Sequence, residues 1–367
     1  MAEPKLLTPA PGSRIVTDDS EVILFGQPPE VLKGLLREGI SSFDTLVLPD
    51  IREKNGSLLN NLEFPIYFFL FFSKGLAEKR KINLVGDARS ISHALRLLRF
   101  TLFGPTRTEL DDWDTEAALK DEWLGVSEAL AIKDASNQAI PIEDFFNQVP
   151  FENGIAVAGD FAIERKGVDS YLVSSQGGDV YVDLSDDIEV TPPYPVPIDY
   201  VPGGLAKLGI EVLGGASGFA TEEPCSGLAL CYNGDYLLID SIPFLDQHLF
   251  ARGISKNQIS AILLTHLHDD HCAMFPLMEM PHRVEVITTL EIFNMAMEKL
   301  GCGLGWSPDA VREHFELIRV EPGDTINYYG LNIEIHNTVH SIPTIGATFS
   351  TIHKGQFRDV CIVGDNQ

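Results

Sequence analysis

The chain has 367 residues, 44% hydrophobic and 22% charged, which excludes a disordered or low-complexity protein and leaves room for about two domains with sizeable cores. Its 53 acidic against 27 basic residues give a formal charge of −26, and no Lys/Arg cluster interrupts that field, so long nucleic acids are excluded as favoured partners. Five scattered cysteines without a Cys-x-x-Cys pair fit reduced, mostly buried thiols, and the N-terminus lacks a signal-peptide core, so a cytoplasmic location away from membranes is expected.

In chain order, Glu21-Val22-Ile23-Leu24-Phe25-Gly26 reads as a strand. Pro28-Pro29-Glu30 then opens a helix over Val31 to Arg37 that ends at Gly39. The chain returns as a strand from Phe43 to Pro49, which makes a βαβ unit with parallel strands. A helix over about Pro65 to Ala77, a strand from Lys81 to Val85 and a helix from Ser90 to Phe103 complete a small α/β domain. Ile66 to Phe72 is apolar on every face, the pattern of a buried helix, with a homodimer or membrane-contacting surface as the alternative. Gly86-Asp87-Ala88-Arg89-Ser90 has one glycine and no Gly-x-Gly-x-x-Gly, so it reads as a connecting turn rather than a phosphate loop.

From Glu109 to Asp144, eleven acidic residues and two lysines with partial helical spacing predict a pair of solvated helices. Period two then takes over, and Asp169 to Leu184 alternates around Gly177-Gly178-Asp179 as a hairpin. The Pro-rich run from Thr191 to Pro197 and Pro202-Gly203-Gly204 mark a boundary. The expected division is therefore 1–150 as an α/β domain, 151–207 as a hairpin connector and linker, and 208–367 as a second domain. Past the boundary, Ile210 to Leu213 is a strand and Leu228 to Ile239 a hairpin turning at Asn233-Gly234-Asp235. A helix over Phe244 to Arg252 follows. Val284 to Thr289 is a strand and Leu290 to Leu300 a helix, followed by a glycine-rich loop at Gly301–Gly305 and a final strand series.

The densest chemistry lies in Thr265-His266-Leu267-His268-Asp269-Asp270-His271-Cys272, behind the buried-strand pattern Ala261 to Leu264. His266 and His268 are two apart, so an extended segment aims both the same way. Asp270 and His271 follow where the chain is expected to turn into a helix. Imidazoles and carboxylates at this density suit Zn²⁺, Fe or Mn. His336 and His340 are both available as a third imidazole, and spacing alone does not separate them, because i and i+4 share a strand face. His93, His248, His282, His314 and His353 have no ligand neighbours in sequence and are expected to be structural or exposed.

The run from His266 to His271 fits His-x-His-x-Asp-His and resembles the signature of the metallo-β-lactamase-fold hydrolases. Leu237-Leu238-Ile239-Asp240 is similar to that family's first motif, and Val360-Cys361-Ile362-Val363-Gly364-Asp365 to its fourth. Val339-His340-Ser341-Ile342-Pro343-Thr344-Ile345-Gly346 is similar to the His-x-x-Pro-x-x-Gly of the ribonuclease Z and class II cyclic-nucleotide phosphodiesterase branches. The resemblance covers about residues 208–367 and implies an αββα sandwich there. It implies that His266, His268 and His340 hold one metal, that Asp270 and His271 hold a second, and that Asp365 bridges them. Asp240 would orient the ligand loop, and the Pro343 and Gly346 context favours His340 over His336.

Asp269 departs from the small residue common at that position in the ribonuclease Z branch and is expected to point outward, with a hydrogen bond to a ligand as the alternative. The family's fifth motif, a histidine on the second metal, would follow Asp365 at a distance, whereas the sequence reaches only Gln367. Either the chain is a fragment, or the second site is incomplete, or another residue fills it. The resemblance implies hydrolysis by a metal-bound hydroxide of a small phosphodiester such as a cyclic nucleotide, with two divalent ions, Zn ahead of Fe or Mn, and Asp270 at the chemistry. An ester, lactone or thioester hydrolase and a non-hydrolytic di-iron oxygen or redox sensor are the alternatives. The expected partner is a small anionic substrate.

Overall fold

The computed structural model describes residues 3–18, 20–185, 189–199 and 207–366; Pro202-Gly203-Gly204 and Gln367 lie outside them. Strands Val22–Phe25, Thr45–Val47, Ile82–Gly86 and Phe146–Pro150 lie side by side and parallel. Helical crossovers between successive strands return the chain in the same direction, which makes neighbouring strands parallel. Helices Val31–Arg37 and Ala88–Phe103 cover one face, where Leu24, Leu46 and Leu84 meet Leu32, Leu35 and Leu98 in a closed core. The expected hairpin is present as Ser170–Ser175 and Gly178–Asp183. It belongs to a four-stranded antiparallel meander with Ile155–Ala158 and Phe161–Gly167. Phe161, Ile163, Tyr171 and Val173 of this meander pack on Ile23, Phe25, Val47 and Val85, the other face of the parallel sheet.

The second half is built on two facing sheets. In the first, Leu208–Gly214, Gly227–Tyr232 and Asp235–Ile239 are antiparallel, and Ile259–Leu263, Val284–Thr288 and Phe315–Arg319 continue in parallel. In the second, Thr325–Tyr328, Leu331–Asn337, Ile345–His353 and Gln356–Ile362 form an antiparallel meander. Leu237, Ile262 and Val286 share one core with Ile333, Ile335 and Phe349. These two facing sheets are the ββ core of the metallo-β-lactamase-type sandwich expected for 208–367. Helix Leu290–Leu304 packs outside the first sheet, while outer positions of the second sheet such as Glu334 and Phe357 are exposed.

Three local expectations need correction. Helix Leu290–Leu304 runs through Gly301, Cys302 and Gly303, which sequence alone assigned to a loop. Glycine weakens a helix by about 1 kcal/mol, but this one is held from both sides, packing on the sheet and on helix Ala88–Phe103. Cys302 lies in the core of the first half and Phe100 in that of the second, so the two cores meet along this pair of helices. The stretch Asp269–His271 is a turn, closed by the His271 and Cys272 amides donating to the His268 carbonyl at 3.0 and 2.8 Å; helix begins only at Phe275. Ile66 to Phe72 is not a uniformly buried helix either. It passes from α-helix Glu63–Tyr67 into a π-helix Phe68–Phe72, and Phe71 and Phe72 are 51% and 62% exposed.

Candidate metal centre

The site forms where three strand ends stop short. Asp240 follows strand Asp235–Ile239 with φ 61, a left-handed backbone that turns its carboxylate across to the next strand end. There Oδ1 accepts from the Thr265 amide at 2.7 Å, and Oδ2 accepts from the Thr265 hydroxyl and His271 Nδ1, both at 2.8 Å. One buried carboxylate thus fixes both ends of the His-x-His-x-Asp-His loop. The third motif is tied to the same strand end, since the Ile345 amide donates to the Thr265 carbonyl at 3.0 Å. Close approach explains the two motif glycines. A Cβ on Gly346 would lie 2.7 Å from the Ile362 carbonyl oxygen, and one on Gly364 would lie 2.5 Å from that of Ile345.

Four groups converge at the floor of this crossing: His266, His268, His340 and Asp365. His266 Nε2 lies 3.1 Å from His268 Nδ1, and His340 Nε2 lies 3.0 Å from that same atom. The hydrogen-bond network assigns the tautomers. Because the Thr265 hydroxyl donates to Asp240, His266 Nδ1 must donate to Thr265 at 2.9 Å, leaving its Nε2 lone pair free. The Thr101 carbonyl can only accept, so His268 carries its proton on Nε2, 3.1 Å away, and presents the Nδ1 lone pair.

Two lone pairs at this separation repel unless a cation lies between them. The spacings are also near the ~3.3 Å expected between nitrogens around a tetrahedral zinc at ~2.05 Å. His340 Nδ1 is buried without a hydrogen-bond partner among the described residues, as if its ring orientation were fixed through Nε2. The residues therefore fit a metal ion. Burial and the neighbouring imidazoles hold His266 and His268 well below the usual histidine range, and burial lowers His340 as well, so the rings stay neutral at neutral pH and each keeps one lone pair.

Beside this trio, His271 Nε2 faces Asp270 Oδ1 at 3.7 Å and Asp365 Oδ1 at 3.5 Å. Asp365 also reaches His266 Nε2 at 4.0 Å, so its carboxylate lies near both groups. Burial alone would push His271 down, but Asp270 and Asp240 outweigh it and lift the ring to about 10, the response of an imidazole facing concentrated negative charge. His336 stands apart, its Nε2 bonded to Thr348 Oγ1 at 2.7 Å.

Asp269 corrects the expectation that it points outward. It is buried and pairs with Lys299 at 2.7 Å. Lys299 also lies 3.4 Å from Glu63, a fully buried residue of the first half whose Oε2 accepts from the Asp269 amide at 3.1 Å. Glu63 Oε1 is 3.9 Å from His268 Nε2. Sequence reading missed Glu63, Thr101 and Lys299 altogether. The one available signal was that Lys299 falls on the helical stripe of Ile292, Met295 and Ala296, where a lysine needs a buried partner.

Residues 208–357 match the protein family described as Anti-Pycsar protein Apyc1. The chain is 27% identical over 149 residues to the cGMP-dependent 3′,5′-cGMP phosphodiesterase A of Dictyostelium discoideum, covering 40% of this chain and 17% of that protein. It is 27% identical over 130 residues to the ribonuclease Z of Methanopyrus kandleri, covering 34% of this chain and 43% of that protein. The chain thus spans less than half the length of either relative. Among solved structures, a metallo-β-lactamase fold protein of Bacillus subtilis aligns at TM-score 0.34 and 20% identity, over 42% of this chain and 61% of that one.

Proposed function

We propose that this chain is a metal-dependent hydrolase of small phosphodiesters, with a cyclic nucleotide as the type of substrate. The observation that carries this reading is the meeting of His266 Nε2, His268 Nδ1 and His340 Nε2, with His271, Asp270 and Asp365 alongside, at the floor of a cleft of about 350 Å³. That volume suits a nucleotide-sized molecule. A pair of divalent ions there would lower the pKa of bound water toward ~7 and polarise a phosphoryl oxygen.

The chain's own residues supply the rest. Asp240 and Thr265 hold His266 and His271 in one tautomer each, and Thr101 does the same for His268. Asp270 lines the cleft as well as facing His271, which supports a role for its carboxylate in taking a proton from an attacking water. The phosphodiester class is supported by the His340-x-x-Pro343-x-x-Gly346 pattern and by the name of the Dictyostelium relative. The formal charge of −26 speaks against tRNA-sized substrates.

The test is a substrate panel on the metal-reconstituted chain: bis(p-nitrophenyl) phosphate and cyclic nucleotides against a lactone and a thioester. Phosphodiester cleavage should lead, with a rate rising through about pH 7. Faster turnover of the lactone or thioester would overturn the reading in favour of carboxylic ester chemistry. Colourless zinc or manganese protein is expected, and a di-iron absorption band with no hydrolysis would point to a sensor.

A further inference from the structure

The first half of the chain closes one side of the cleft. Phe64 and Tyr67, from helix Glu63–Tyr67, and Phe71, from the π-helix that continues it, all line the cavity that holds His268 and His340. The π turn is real in its hydrogen bonding, since the Ser73 amide reaches back five residues to the Phe68 carbonyl at 2.9 Å. Such one-turn expansions are rare and concentrate at functional sites. Phe219, from the loop after Gly214, meets this segment: its ring lies 5.3 Å from Phe64 edge-on and 5.1 Å from Phe72. The loop is seated tightly, because a Cβ on Gly218 would fall 2.2 Å from the Phe64 ring.

The wall continues into the metal centre. Tyr67 packs edge-on against His268 at 5.9 Å, and its hydroxyl donates at 3.0 Å to the same Thr101 carbonyl that fixes His268. Phe71, 6.2 Å from Tyr67, is half exposed although it borders a cavity. An uncovered ring beside converging ligands is surface that a bound apolar group would remove from water. The charge pattern is equally one-sided: Glu63, Asp270 and Asp365 line the cleft, and no lysine or arginine does so among the described residues. A substrate anion would find positive charge only at the metal site, whereas a planar group would find several rings.

We propose that Phe64, Tyr67, Phe71 and Phe219 bind a planar aromatic substituent of the substrate, so that the cleft selects singly charged phosphodiesters bearing a nucleobase or aryl ring over dianionic monoesters and alkyl esters. This rests on the hydrolase reading for its chemistry, but it makes a claim about binding that can be tested without turnover. The probes are non-hydrolysable: benzyl(methyl)phosphinate, dimethylphosphinate and, at pH 8.5, dianionic benzylphosphonate, titrated calorimetrically into the full zinc-loaded chain. A cyclic adenosine phosphorothioate in a fourth arm separates a nucleobase from a simple aryl ring.

The ring-bearing phosphinate should bind about tenfold more tightly than dimethylphosphinate, and more tightly than benzylphosphonate. Phe71→Ala and Phe219→Ala should each weaken the ring-bearing probe about fivefold, with Phe71→Tyr restoring it. Phe71 is exposed enough that its variants should fold, which keeps the test decisive if Phe219→Ala does not. Equal affinity for benzyl(methyl)- and dimethylphosphinate, or an unchanged ring preference in Phe71→Ala, would overturn the proposal. If the ring preference holds while no phosphodiester is cleaved, the wall stands and the hydrolase reading falls.

Discussion

Lys299 holds together the charged cluster behind the ligand loop. Its ammonium is buried between Asp269 and Glu63, and although burial alone would push it down, those two carboxylates hold it above the ordinary lysine range. Lys299→Met would leave two carboxylates buried without their cation, a change that costs about 3–5 kcal/mol. Urea unfolding at pH 7 measures it, and a loss under ~1 kcal/mol would show that the cluster rearranges freely. His248 makes a second, pH-dependent case. It is buried, with its Nε2 3.4 Å from the Tyr194 hydroxyl and Arg252 and Lys33 nearby; burial first and then those cations pull it down to about 4. The unfolded chain takes up this proton near pH 6.5, before the folded chain does, so stability is full above pH 6.5 and falls as pH drops toward 4. Between pH 6.5 and 4.5 the loss should reach about 2 kcal/mol, and His248→Gln should lose that much less over the same interval. Equal acid sensitivity of the two proteins would contradict this. The residues of the His-x-His-x-Asp-His loop were legible in the sequence because short spacing on an extended segment carries geometry. Glu63 and Thr101 were not, since their partners Lys299 and His268 lie 236 and 167 residues away.

At the scale of elements, the π-helix Phe68–Phe72 is held in place by a close approach. A Cβ on Gly75 would meet Phe69 Cε1 at 2.4 Å and the Phe69 carbonyl oxygen at 2.8 Å, and Phe69 is fully buried. Gly75→Ala should therefore cost about 1–3 kcal/mol as an overpacking change. It should also loosen the aromatic wall. Thermal unfolding and the ring preference of the phosphinate probes would report the two effects together; unchanged stability with an unchanged preference would show that the turn tolerates the methyl. Most of the parallel strands and both hairpins were readable from apolar runs and turn residues, which act locally, but Phe146–Pro150 and Phe315–Arg319, with polar residues interrupting their apolar ones, were not. The continuation of helix Leu290–Leu304 through Gly301 and Gly303 was not, because packing from two sides overrode a local preference that favours a loop. The turn at Asp269–His271 escaped for a related reason. Its geometry is set by Asp240, which arrives from another strand.

Across the whole molecule, the candidate metal centre lies where the two halves meet. The second half brings His266, His268, His271, His340 and Asp365, while Thr101 and Glu63 of the first half stand behind His268. The stacked-sheet architecture could be anticipated from the four motifs, but the way the first half braces His268 and walls the cleft could not. Nothing in its composition marks it as part of the site. If the donors cohere as described, an ion bound to the folded state alone should raise stability by about 2.7 kcal/mol at a hundredfold excess over its Kd. The most direct measurement is therefore a zinc titration of the chelator-stripped chain, by calorimetry with elemental analysis, in parallel with His340→Ala and His336→Ala. The first equivalent should bind tightly through three histidines and Asp365, and a second more weakly through Asp270, His271 and the shared Asp365. His340→Ala should lose about 100-fold or more in affinity for the first equivalent, with His336→Ala unchanged. Absence of any tight equivalent, or His336→Ala losing the ion while His340→Ala keeps it, would contradict the assignment of this centre.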